Sequence, residues 1–181
     1  MKIELLEHGH SSLTPASTVA APGASGAQRA VRGKGMTVTP AQARNADQWA
    51  HSWFTIVRHP WTSLVLVPAD DVTSSMYVAR KLADVAALHH SEPVTVVDAE
   101  SLGAKDLNEL MPQLEERVRA GGRILIAVRS PLTHHSAVPI ARAADAAVLI
   151  VTIGRSRFND SRRTIDCVGT GSFVGSITIP R

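Results

Sequence analysis

The chain has 181 residues, a formal net charge of +3, and only 4% aromatic residues beside 44% hydrophobic ones. That length suits one domain with a sizeable core and leaves no room for a second full one. Lys and Arg never form a run of five or more, aromatics are too sparse for a base-stacking surface, and Cys167 is alone, so the composition argues against nucleic acid as a partner and against a disulfide framework.

The apolar runs fall well short of the roughly 18 residues that span a bilayer. The first ten residues, MKIELLEHGH, carry acids and histidines where a signal peptide is basic and then apolar. The expectation is a cytoplasmic protein. Residues 1–36 are rich in Ser, Ala, Gly, Pro and Thr and cannot bury a face, which predicts a disordered, flexible N-terminal arm. Its basic residues Arg29, Arg32 and Lys34 read as solubilising charge. Residues 37–181 are then one α/β domain with an N-terminal approach helix.

Pro40 suits the first turn of that helix, Thr39 is a candidate cap, and AQARNADQWAHSWFTIV carries it to Val57. Trp49, Trp53 and Ile56 fall on one stripe. The stripe either covers the edge of a sheet or, because tryptophans anchor interfaces, makes a partner or oligomer contact.

From Leu64 the pattern alternates. Strands are expected at Leu64 to Val67, Val94 to Val97, Ile124 to Val128, Ala147 to Thr152 and Phe173 to Ile179. Helices are expected at about Thr73 to Leu88, Asp106 to Arg119, Ser136 to Ala143 and Asn159 to Val168. Continuous apolar strands between helices imply a doubly wound parallel sheet of about five strands, covered on both faces and P-loop NTPase-like.

In such a sheet the ligand crevice lies beyond the carboxyl end of the first strand, here in SLVLVPADDVTSS. A phosphate-binding loop needs glycines and a lysine. This stretch has neither: no glycine occurs between Gly35 and Gly103, and the next lysine is Lys81, inside the helix. Asp70 and Asp71 would repel a triphosphate there; they equally serve as helix-end acids beside Thr73 as cap. Asp98 and Glu100 follow the second strand and could hold a metal or act as acid and base, but no positive group stands beside them. Adjacent histidines, His89-His90 and His134-His135, lack zinc-ligand spacing, and Ser130 with His134 lacks the glycines of a nucleophile elbow. Cys167 is expected in the core.

From Ser63 onward, about two thirds of the chain, the residues resemble the cytoplasmic domain of the bacterial tyrosine kinases of capsule and exopolysaccharide synthesis, within the MinD/ParA-like P-loop ATPases. The match is clearest over residues 141–179, with an Ala-Asp-Ala step into an apolar strand, an arginine-containing loop, a helix, and a last strand opening with Val-Gly. Where the family has Gly-Lys-Ser-Thr, this chain has Ser74, Ser75, Met76 and Tyr77. Asp98-Ala99-Glu100 matches its Asp-x-Asp, and Val128 stands at the acid of its third motif. The family's terminal tyrosine cluster is missing, since Tyr77 is the only tyrosine, and so is the Glu-x-x-Arg-x-x-Arg oligomerisation pattern.

The resemblance therefore implies a degenerate nucleotide site at Asp70, Thr73, Ser74, Ser75, Asp98, Glu100 and Val128, with no catalytic residue, no metal and no cofactor. It implies a pseudokinase acting as scaffold or regulator in exopolysaccharide or capsule export. The partner would be a membrane-embedded chain-length or export protein that recruits the chain to the inner face of the membrane, with a homo-oligomer as a further option. Two alternatives remain open at this point. One is an enzyme that binds ATP and magnesium through an altered loop, with Asp98 and Glu100 on the metal. The other is a MinD-like positioning or pilus-assembly protein.

Overall fold

A computed structural model describes residues 40–89, 93–103 and 106–180. The arm expected over residues 1–36 and the cap Thr39 lie outside these. In chain order the elements are α1 (Pro40–Ile56), β1 (Ser63–Pro68), α2 (Ser75–His89), β2 (Val94–Asp98), α3 (Leu107–Arg119), β3 (Arg123–Ala127), α4 (Ala137–Ala143), β4 (Ala146–Thr152), α5 (Phe158–Val168) and, after a 3-10 turn, β5 (Phe173–Ile179). The five strands form one sheet in the order β2-β3-β1-β4-β5, and every pairing is parallel. This is the P-loop-like doubly wound α/β fold.

Strand β1 shows why the chain folds this way. All six of its residues are buried, and successive side chains point to opposite faces. Leu64 and Leu66 enter the core under α1 and α2, with Met76, Val78, Leu82 and Ile150. Val65 and Val67 enter the core under α3, α4 and α5, with Leu110, Leu114, Ile140 and Val168. The middle of a strand that serves two cores has no polar position to offer, which is why Leu64, Val65, Leu66 and Val67 are all apolar. Burial on both faces holds for the central strands β1, β3 and β4. It does not hold for the edges: β2 and β5 are largely half-buried or exposed.

The tryptophan stripe of α1 turns inward. Trp53 is fully buried and Trp49 8% exposed, both in the first core. Trp53 meets Trp61 edge to face at 6.1 Å, and the Trp61 indole donates to the Ile56 carbonyl at 3.0 Å. Gln48 Nε2 donates to Thr178 O of β5 at 2.9 Å, tying the helix to that edge of the sheet. Of the two readings of the stripe, Trp49 and Trp53 pack as the one that covers the sheet has it. Cys167 departs from expectation and is exposed, because α5 buries Thr164 and Val168 and position 167 lies to one side of them, about 60° round the helix from Thr164 and about 100° from Val168.

At the amino end of the sheet, Asp145 holds β1 and β4 in register. Its Oδ2 accepts the Thr62 amide at 2.9 Å, the Ser63 amide at 2.8 Å and the Ser63 hydroxyl at 3.0 Å. Partial burial pushes this carboxyl's pKa upward, but the hydrogen bonds from Ser63 and Thr62 outweigh it, and the net shift is below the ordinary 3.8. The Ala-Asp-Ala step before β4 is therefore a clamp on the start of β1.

Candidate functional site

Helix α2 packs on one face of the sheet and α3, α4 and α5 on the other, so the loop leaving β1 turns one way while those leaving its neighbours β3 and β4 turn the other. Such a switch opens a crevice at the carboxyl ends of the strands, where α/β proteins bind ligands. Four loops meet there: 69–74 after β1, 99–103 after β2, 128–136 after β3 and 153–157 after β4. The loop-1 residues singled out from sequence, together with Glu100 and Val128, converge on this place.

The amino end of α2 is where a phosphate would sit, since its first amides have no partner within the helix. Here Glu100 reaches across from the β2 loop. Its Oε1 accepts the Met76 amide at 3.0 Å, the Ser75 hydroxyl at 2.9 Å and the Ser74 hydroxyl at 3.1 Å. Ser75 Oγ also lies 2.6 Å from Val128 O, so its one proton serves both acceptors. Ser74 Oγ in turn accepts the Tyr77 amide at 3.3 Å, which makes Ser74, rather than the expected Thr73, the cap of α2.

Asp70 closes the loop from the other side. Its Oδ1 accepts the amides of Val72 at 2.9 Å and Thr73 at 3.2 Å and the Thr73 hydroxyl at 3.2 Å, while its Oδ2 accepts the Ser156 hydroxyl. Ser156 Oγ also receives the Thr152 amide at 2.8 Å, and the hydroxyls of Thr73 and Thr152 are bonded to each other. Loop 1 is thereby fastened to the end of β4.

Asp71 does not cap the helix. Its Oδ1 accepts the Thr133 hydroxyl at 2.6 Å, and Thr133 lies 3.0 Å from His134 Nδ1. On the ring's far side, Arg129 Nη1 is 2.9 Å from Nε2. A guanidinium only donates, so Nε2 is the acceptor and the proton sits on Nδ1, giving a chain Arg129 to His134 to Thr133 to Asp71. His134 therefore does not pair with Ser130, whose hydroxyl is buried without a partner among the described residues. Asp98 stands apart from the convergence: its Oδ1 accepts the Glu100 amide at 2.9 Å, a local turn that orients the Glu100 side chain.

Among the described residues no group of three or more His, Cys, Asp or Glu side chains could hold a metal ion. The two carboxylates that a magnesium would need are engaged separately, Asp98 on its own loop and Glu100 on α2. The amides and hydroxyls that a triphosphate would need are taken by Asp70 and Glu100. Beside loop 1, a cleft of about 300 Å³ is lined by Val72, Thr73, Ser74, Tyr77, Thr152, Arg155, Ile179 and Pro180.

Ser156, Thr152 and Thr133 escaped the sequence reading. The signal for them lay in topology: once β4 and β3 flank β1, the polar residues that end those strands must meet loop 1. A search of protein-family models finds none that matches this chain, and a search of curated proteins finds no match either.

Proposed function

We propose that this protein is a catalytically degenerate, P-loop-like relative of the tyrosine kinases of exopolysaccharide synthesis, acting as a scaffold or regulator rather than as an ATPase or kinase. The observation that carries the reading is Glu100 on the amino end of α2. A carboxylate stands where the phosphate group would bind, bonded to one amide and two hydroxyls. In a working phosphate loop the nucleotide organises the loops around it. Here the chain's own carboxylates Asp70, Asp71 and Glu100 link loop 1 to the loops after β4, β3 and β2. Loops tied together by the chain's own side chains suit a protein that presents a surface to a partner. The polysaccharide setting, the membrane-embedded partner and recruitment to the inner face of the membrane rest on the resemblance of residues 63–181 alone.

The test is titration of the purified protein with ATP and ADP, with and without magnesium, read by thermal melting. A ligand that binds only the folded state raises the melting temperature by mass action. No shift at millimolar nucleotide is expected. A magnesium-dependent shift abolished by Asp98→Ala would overturn the reading in favour of a live nucleotide site. In cells, deletion of the gene is expected to alter polymer length or yield; unchanged polysaccharide would remove the proposed setting.

A further inference from the structure

Eleven residues, 153–163, join β4 to the first half of α5, and they carry the chain's whole charge surplus. Four arginines, Arg155, Arg157, Arg162 and Arg163, face one acid, Asp160, within this segment, so its excess of three positive charges equals that of the full sequence. All four arginines are exposed, and none has an ion pair or side-chain hydrogen bond among the described residues. The segment also carries two large apolar side chains in the open: Phe158 is 80% exposed and Ile153 58%. Asp166, at the far end of α5, is the one further acid on the helix.

Exposed apolar residues usually need no explanation when they are scattered singly. These two are five positions apart, at the start of one helix and the end of one strand, and the guanidinium groups occur between and after them. Neither lines the cleft beside loop 1. Exposed apolar side chains that alternate along the chain with exposed arginines suit a deformable anionic surface better than a shaped groove.

We propose that this segment docks directly on an anionic lipid surface, with Phe158 and Ile153 entering the headgroup region and the four arginines pairing with lipid phosphates. Charge complementarity selects this occupant: the arginines supply the attraction to acidic headgroups, and the apolar pair supplies the interfacial anchoring that charge alone lacks. Arginine is suited to the role because its planar fork binds phosphate oxygens two at a time. A nucleic acid would meet the same cations but would find one aromatic ring to stack on and no use for Ile153. The proposal does not require a live or a dead nucleotide crevice, although the segment borders it: Ser156 bonds Asp70 of loop 1 and Arg155 lines the cleft there.

The experiment is cosedimentation of the full chain with vesicles of pure phosphatidylcholine and with vesicles containing about one third phosphatidylglycerol, at low and at high salt. Binding to the anionic vesicles alone is expected, weakened by salt because the Debye length shrinks to about 3 Å at 1 M. The charge-reversed pair Arg157→Glu with Arg162→Glu should weaken it about tenfold or more. Phe158→Ala with Ile153→Ser should weaken it severalfold while leaving the salt dependence in place. These positions are exposed, and unchanged melting temperatures will show that the variants fold. Absence of binding to anionic vesicles overturns the proposal, as does binding that both variants retain, which would assign it to residues elsewhere. Binding of RNA in a parallel filter assay without binding of vesicles would also overturn it and make nucleic acid the occupant.

Discussion

Glu100 Oε1 and Ser75 Oγ lie 2.9 Å apart although 25 positions separate the residues. The contact sets a carboxylate from the β2 loop on the amino end of α2, where it also takes the Met76 amide. Glu100→Ala leaves the Met76 amide and the Ser74 hydroxyl without this acceptor, while Ser75 keeps its bond to Val128 O, and should lower stability by about 1–3 kcal/mol, in the range of charged hydrogen bonds and lost caps. It also frees the helix end for another anion. Millimolar phosphate should therefore raise the melting temperature of Glu100→Ala and leave the unaltered protein unmoved. Equal responses in the two proteins would show that Glu100 does not occupy the anion position.

Trp53 is fully buried and T-stacked on Trp61, so it belongs to the fold. Trp53→Ala should cost about 3–5 kcal/mol, the range for deleting a large buried aromatic. Its neighbour Phe54, 46% exposed, should give less than about 0.5 kcal/mol as Phe54→Ala. Urea denaturation of both variants checks the contrast. A small loss at Trp53 accompanied by a change in oligomeric state would restore the partner-contact reading.

The elements were legible because each has a period that sterics enforce. Unbroken apolar runs such as Leu64 to Val67 announce burial on both sides, and the helices between them force parallel pairing. Which loops meet is a property of strand order, and nothing local in the sequence states it. Glu100 was recognised as a surviving acid after β2, yet its direction depends on β3 lying between β2 and β1. The same limit hid Ser156, which looks like any loop serine until β4 is placed beside β1. Cys167 misled for a different reason: an apolar residue next to a helix end fits a core position on composition, and a rotation of one residue moves it to solvent.

Asp145 gives the fold a defined response to acid. Its pKa is lowered in the folded protein, the partial burial that would raise it being outweighed by the hydrogen bonds from Ser63 and Thr62. The unfolded chain thus binds the proton more readily, so the stabilisation is fully present above the ordinary value of 3.8 and is lost as pH falls through the lowered folded value. Asp145→Asn should cost roughly 1 kcal/mol at pH 7, a modest figure because solvent reaches the carboxylate. Urea midpoints measured from pH 7 down to pH 2 should show the gap between the two proteins constant to about pH 5 and closing below pH 4. A gap that widened toward low pH would contradict the assigned role.

Gly121 and Gly122 both turn with positive φ, 83° and 102°, yet only one is confined by its surroundings. A Cβ at Gly122 would lie 2.9 Å from Pro93 O, the backbone oxygen that accepts the Arg123 amide at 3.0 Å and starts the pairing of β2 with β3. A Cβ at Gly121 meets nothing within 4 Å. Gly121→Ala therefore carries only the strain of its backbone angle, about 1 kcal/mol. Gly122→Ala adds a collision with a carbonyl that is itself held in a hydrogen bond, so the β2 edge must shift, for a loss of about 3 kcal/mol. Hydrogen exchange separates local from global effects: Gly122→Ala should speed exchange at the β3 amides that pair with β2, beginning with Arg123, while those of β1 and β4 follow the global loss. Equal destabilisation by the two alanines would mean that the Pro93 carbonyl yields freely and does not fix the register of that edge.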